Sequence, residues 1–215
     1  MVDEIYGYFH SDNLMITSRG DYDDWHHKTC KTFLDLFKRA GGKDIKYGKA
    51  QKIINMSMKY LYCFNDSNKY SEKFIFCHMP LDHYTLEWFI HVVIPWTVKT
   101  NDERVEITKI RDTSWGNLNY SKNKDIYSYS WMQERIFGYL QSIENEKYLN
   151  ENNEPLTPLE AEFYIWPEQK FMERIKEAID LDLYDINYPK YKDDDLFDLC
   201  NSLSTKLLQL QEKIK

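Results

Sequence analysis

Glycine and proline are scarce in this chain, at seven and six in 215 residues. A β-sandwich or barrel needs a turn signal roughly every 8–12 residues, and that supply is missing. Few breakers favour long helices instead. No run of roughly eighteen apolar residues occurs, so no membrane-spanning helix and no membrane partner is expected. The four cysteines, Cys30, Cys63, Cys77 and Cys200, include no C-x-x-C pair. That removes the spacing of a zinc ribbon or a disulfide scaffold and leaves reduced, partly buried thiols as the expectation. The start, Met1-Val2-Asp3-Glu4, is acidic and lacks the basic and apolar regions of a signal peptide, so a cytoplasmic location is expected. No internal repeat or low-complexity tract appears, and one domain over residues 1–215 is the expectation.

Charge is present but unevenly placed. The net formal charge is −7. Residues 28–59 nevertheless carry nine basic side chains against Asp35 and Asp44, a local +7. Residues 144–198 carry sixteen acidic against six basic, a local −10. A compact chain so divided presents a cationic face, suited to phosphates, and an acidic one, suited to a basic protein partner.

Apolar periodicity predicts a mainly α, multi-helix fold with at most a minor sheet. A helix is expected over 22–40, ended by Gly41-Gly42. A second is expected over 49–64, with Ala50, Ile53, Ile54, Ser57, Leu61 and Phe64 as its buried stripe. Lys52, Asn55 and Lys59 fall on another face. Residues 81–98 begin as a helix that Pro95 interrupts. Residues 104–110 alternate and suggest a single strand or an extended segment. Residues 126–143 form a helix. Thr157-Pro158-Leu159-Glu160 has the form of a capping box that opens another. Residues 194–214 carry a clean amphipathic stripe within an acidic helical part, 124–215.

Two segments carry chemistry. In the first, Tyr47-Gly48-Lys49-Ala50-Gln51-Lys52, a glycine precedes a helix and Lys52 is expected in its first turn. A helix N-terminus attracts phosphate and disfavours a protonated lysine, so Lys52 is a candidate amine nucleophile. In the second, Pro80-Leu81-Asp82-His83-Tyr84-Thr85-Leu86, a carboxylate opens a helix after a proline turn. An N-cap explains Asp82 by itself. The sharper reading sets that carboxylate facing the Lys52 helix.

Together these segments resemble the helix-hairpin-helix DNA glycosylase superfamily, of the 8-oxoguanine glycosylase kind, over residues 33–93. The resemblance implies a helical fold in which Gly41-Gly42 to Gly48 form the hairpin. It implies Lys52 as the Schiff-base nucleophile and Asp82 as its catalytic carboxylate. Lys43, Lys46, Gly48, Lys49, Asn55 and Lys59 then contact DNA, and no cofactor or metal is required. The gap from Lys52 to Asp82 is longer than in common members and similar to that of some archaeal 8-oxoguanine enzymes. A damaged or modified base would be flipped from the duplex, in repair or in phage–host conflict, and stacked on aromatics. Trp25, Trp115 and Tyr120 are candidates for that pocket because they lie in or near polar segments.

Three rival readings stand beside this one. His26 and Cys30, at i, i+4, are a workable pair of metal ligands, whereas Cys77 and His78 are adjacent, a poor geometry for one ion. Arg19 and His26 resemble the arginine–histidine pattern of helical HEPN-type ribonucleases. A non-catalytic acidic interaction protein or inhibitor returns Lys52, Asp82 and Asn55 to structural roles.

Overall fold

A computed structural model describes residues 2–10, 16–64, 70–101, 105–142 and 146–179. The chain divides into two units, Met1–Gln169 and Lys170–Lys215. The architecture is mainly helical, and among the described residues β-pairing is limited to an isolated bridge between Leu149 and Pro155. No helix of the described residues is long and apolar enough to cross a membrane. The helix read over 194–214 lies outside the described residues.

α1 (Val2–His10) buries Tyr8. α2 (Arg19–Arg39) opens on a capping box: Ser18 Oγ accepts from the Asp21 N–H, and the Asp21 carboxylate accepts from the Ser18 N–H at 2.9 Å. It ends as expected at Gly41, whose φ of +80° closes a Schellman turn. The Gly41 N–H bonds the Lys38 carbonyl and the Gly42 N–H bonds the Phe37 carbonyl. α3 (Tyr47–Cys63) starts two residues earlier than expected, which moves Lys52 out of the first turn and away from the strongest part of the helix field.

The buried face of α3 is rotated from the predicted one. Tyr47, Ala50, Gln51, Ile54, Asn55 and Met58 are buried, while Ile53, Leu61 and Phe64 are exposed. Two polar residues, Gln51 and Asn55, take core positions because the amide oxygen and nitrogen of each find partners, which removes most of the burial penalty.

α4 (Ser71–Phe74) is a single turn, and α5 (His83–Trp88) follows the Pro80 segment. Pro95 does not end the helical run. A π turn, Phe89–Val93, precedes α6 (Ile94–Asn101), and the Ile94 N–H reaches back to the Phe89 carbonyl. Pro95 is then the second residue of α6, where its missing N–H and its ring cost least. The strand expected over 104–110 is instead α7 (Ile107–Asp112). No neighbouring strand of the described residues offers it a ladder. Ile107 and Ile110 both pack on the core at helical spacing. A short 3-10 turn, Trp115–Asn117, leads to α8 (Tyr129–Leu140), capped by Ser128. α9 (Pro158–Ile179) opens on the predicted capping box, with the Glu160 N–H 3.3 Å from Thr157 Oγ1, and runs past Pro167.

The main core gathers apolar residues of α3, α5, the π turn, α8 and α9, including Ile54, Trp88, Phe89, Trp131, Ile136 and Ile165. A second cluster joins Tyr8, Tyr22, Trp25, Met58, Phe74, Cys77 and Leu159. Cys30 and Cys77 are buried and Cys63 is exposed, all as free thiols. Burial pushes both buried thiols up to about 12, so neither supplies a thiolate near neutral pH.

Candidate active site

Lys52, Met56 and Lys59 project from one face of α3, at i, i+4 and i+7. Asp82, His83 and Tyr84 stand at the start of α5, Trp115 on the 3-10 turn, and Glu162 and Trp166 on α9. These nine residues line one open cleft of about 350 Å³.

The centre of the cleft is the pair expected from the sequence. Lys52 Nζ lies 2.6 Å from Asp82 Oδ2, with the two side chains 28% and 11% exposed. Asp82 divides its oxygens between two tasks. Oδ1 accepts from the Thr85 N–H at 3.1 Å and caps α5. Oδ2 accepts from Lys52 and from the Trp166 indole N–H at 3.1 Å. Thr85 completes the box: its Oγ1 accepts from the Asp82 N–H and donates to the Pro80 carbonyl. The carboxylate is therefore fixed from three sides. The ammonium of Lys52 also sits 5.2 Å from the centre of the Trp115 ring, within cation–π range. Tyr84 meets Trp166 edge to face at 5.2 Å.

A second ion pair lies beside the first. Lys59 donates to Glu162, and the side chains are only 16% and 2% exposed. Burial holds the Glu162 carboxyl above its ordinary range. The Lys59 bond pulls the other way, and nearby Asp82 reinforces the rise.

Gly48 has a different task from the one expected. It is buried, and its N–H is consumed by the Leu118 carbonyl at 3.0 Å, so it is not open to a phosphate. A Cβ there would stand 2.0 Å from the Trp115 carbonyl oxygen. Glycine lets the Trp115 turn sit directly on the start of α3 and so places the indole over Lys52. Lys43, Lys46 and Lys49 are exposed near this helix start and form its cationic rim.

Three further expectations are corrected. Trp25 is not in a base pocket: it is buried against Tyr8 and Tyr22 at 4.5 and 5.4 Å in the second core cluster. Asn55 is not at a DNA surface: it is fully buried. Its Oδ1 accepts from His26 Nε2 at 2.8 Å, and its Nδ2 donates to Gln51 and to the Tyr129 hydroxyl, both at 2.9 Å. Tyr120, half-buried, stacks on His27 at 3.6 Å and does not line the Lys52 cleft. Of the three aromatics named from sequence, Trp115 alone lines it.

Of the residues in the rival readings, His26, Cys30, Cys77 and His78 fall inside the fold. His26 is fully buried on α2, with Cys30 Sγ 3.8 Å away. His78 bridges Asp23 at 2.7 Å and the Tyr129 hydroxyl at 2.9 Å. Burial lowers both histidines below their ordinary value and keeps the rings neutral. Among the described residues no group of three or more His, Cys, Asp or Glu is placed to hold a metal ion.

Sequence reasoning missed Glu162 and Trp166. The available signal was an acid on the apolar face of α9, three residues after Leu159 and among Ala161 and Ile165, all of them buried.

A positioned amine, a positioned carboxylate and three aromatic side chains around an open space suit covalent chemistry on a flat, π-bearing group. Comparison of the chain with protein-family models, with curated proteins and with solved structures returned no match.

Proposed function

We propose that this cleft excises a damaged or modified base from DNA, in the manner of a helix-hairpin-helix glycosylase. One observation carries the reading: Lys52 Nζ stands 2.6 Å from Asp82 Oδ2 at the centre of an open cleft bordered by Trp115, Trp166 and Tyr84.

The chemistry follows from the pair. Asp82 accepts a proton from the Lys52 ammonium, which frees the amine lone pair. That lone pair attacks C1′ of the sugar. The C1′–N glycosidic bond breaks, its electron pair leaves with the base, and the base nitrogen takes up the proton held by Asp82. The substituted amine passes one proton to O4′ as the C1′–O4′ bond opens, giving a protonated Schiff base. The departing base is held by stacking on the indoles, beside the buried Lys59–Glu162 pair. Lys43, Lys46 and Lys49 supply the sequence-independent grip on phosphates.

The test is borohydride trapping on duplex DNA carrying oxidised, alkylated or phage-type modified bases. A covalent adduct is expected, absent in Lys52→Ala and strongly reduced in Asp82→Asn. No adduct and no released base with any substrate would overturn the proposal. That outcome favours a second reading, a non-catalytic acidic interaction protein, in which Asp82 is a helix cap and residues 144–198 dock a basic partner.

A further inference from the structure

The segment from Met79 to Leu81, which delivers Asp82 to the cleft, is gripped by two buried glutamines. Gln51 of α3 donates from Nε2 to the Leu81 carbonyl at 2.9 Å, and its Oε1 accepts from the Leu81 N–H at 3.3 Å. Gln133 of α8 treats Met79 in the same way, at 2.7 and 3.2 Å. Each side-chain amide mimics the edge of a neighbouring strand, satisfying both backbone groups of one residue at once. The two grips differ in one respect. Gln51 immediately precedes Lys52 in the chain, and Leu81 immediately precedes Asp82. The Gln51 clamp therefore ties the two backbones together one residue away from each member of the ion pair.

The clamp is itself held. Gln51 Oε1 also accepts from Asn55, whose amide is fixed by His26 and by Tyr129. Tyr129 in turn donates to neutral His78, which donates to Asp23. Hydrogen-bond directions are set along the whole series, so Gln51 has little freedom to rotate. A purely apolar side chain would fill the same space without dictating where the Leu81 peptide lies along α3.

We infer that Gln51 is a positioning residue whose clamp on the Leu81 peptide sets the approach of Lys52 to Asp82. The inference rests on the proposed glycosylase reading for its catalytic consequence and on geometry alone for its structural one. A misplacement of about 1 Å in a reacting group can cost on the order of a hundred-fold in rate.

The experiment compares Gln51→Met with Gln133→Met in the full chain. Both variants lose two buried hydrogen bonds to the backbone of one residue, and Gln51→Met also loses the bond from Asn55, so the variants are compared by the reactivity of Lys52 and not by stability. The first readout is the labelling rate of Lys52 by an amine-acylating reagent, followed by peptide mass spectrometry without DNA. Gln51→Met is expected to change that rate toward the value of Asp82→Asn, while Gln133→Met stays near wild type. The second readout is single-turnover borohydride trapping. Gln51→Met is expected to slow it about ten- to hundred-fold at saturating DNA with unchanged DNA affinity. Equal effects of the two variants, or unchanged Lys52 labelling in Gln51→Met, overturn the inference. A labelling change in a protein that traps no DNA leaves Gln51 as the positioner and removes the glycosylase reading. Should Gln51→Met fail to fold, Gln51→Glu, which keeps the acceptor and loses the donor to Leu81, carries the same comparison.

Discussion

Replacing Lys59 by methionine separates the buried ion pair from its surroundings. Methionine keeps much of the lysine stem and removes only the charge. Glu162 is then left nearly inaccessible to water with no cation against it. Removing one partner of a buried pair costs about 3–5 kcal/mol, because the remaining charge is uncompensated. At about 2–4 °C per kcal/mol for a chain of this size, a loss of 3 kcal/mol lowers Tm by roughly 6–12 °C. The penalty depends on pH in a defined direction. Burial already raises the Glu162 carboxyl above its ordinary value of 4.5, and Lys59 opposes that rise. A native carboxyl with a raised pKa binds its proton where the unfolded one has lost it, so stability falls as pH rises through that window. Deleting Lys59 widens the window upward. Urea unfolding of Lys59→Met is therefore expected to show a small penalty near pH 4.5 and the full one at pH 8. Adding Glu162→Gln should recover most of the loss at pH 8. A penalty independent of pH, and not relieved by Glu162→Gln, refutes the reasoning.

Trp25→Ala should destabilise the fold by about 3–5 kcal/mol in chemical denaturation, as a buried Trp truncation does. Trp115→Ala, at a partly buried indole, should cost less than Trp25→Ala and slow single-turnover trapping. Gly48→Ala forces its new methyl against the Trp115 carbonyl and should cost about 1–3 kcal/mol while raising the susceptibility of the 115–118 turn to limited proteolysis. Acidification should destabilise the protein through His26 and His78. Both have folded pKa values below the ordinary 6.5, so the unfolded chain takes up protons that the native rings refuse. Stability is expected to decline as pH falls below 6.5, with a slope of up to about 1.4 kcal/mol per pH unit for each histidine. His78→Gln should flatten that slope in urea titrations run between pH 5 and 7.

Much of this fold was legible because its signals are local. Ser18 and Asp21, Gly41, and Thr157 with Glu160 mark helix ends through bonds made within a few residues. Lys52 and Asp82 were findable for a related reason: each stands near a helix start, where its residue type is informative. The rest depended on partners far along the chain. The burial of Asn55 requires His26 and Tyr129, seventy-four residues away in the second case, and apolar periodicity alone rotated α3 toward Ile53 and Leu61. Trp166 reaches Asp82 across eighty-four residues. Residues 104–110 alternate like a strand, but alternation cannot supply a neighbouring strand, and the part from Ile107 onward is helical. Gly48 read as a phosphate-binding glycine because close backbone approach looks the same in sequence whether the visitor is a ligand or the protein's own turn.

The divided carboxylate of Asp82 ties local folding to reactivity at a single residue. One oxygen holds the first turn of α5 in place, and the other faces the amine and the indole. In the proposed reaction, a substrate that displaces Lys52 meets a carboxylate whose other oxygen is held by the Thr85 N–H, independently of the lysine. The same economy limits variation: an amide at this position retains an acceptor for the helix but gives up the base, and a glutamate retains the base but overshoots the cap.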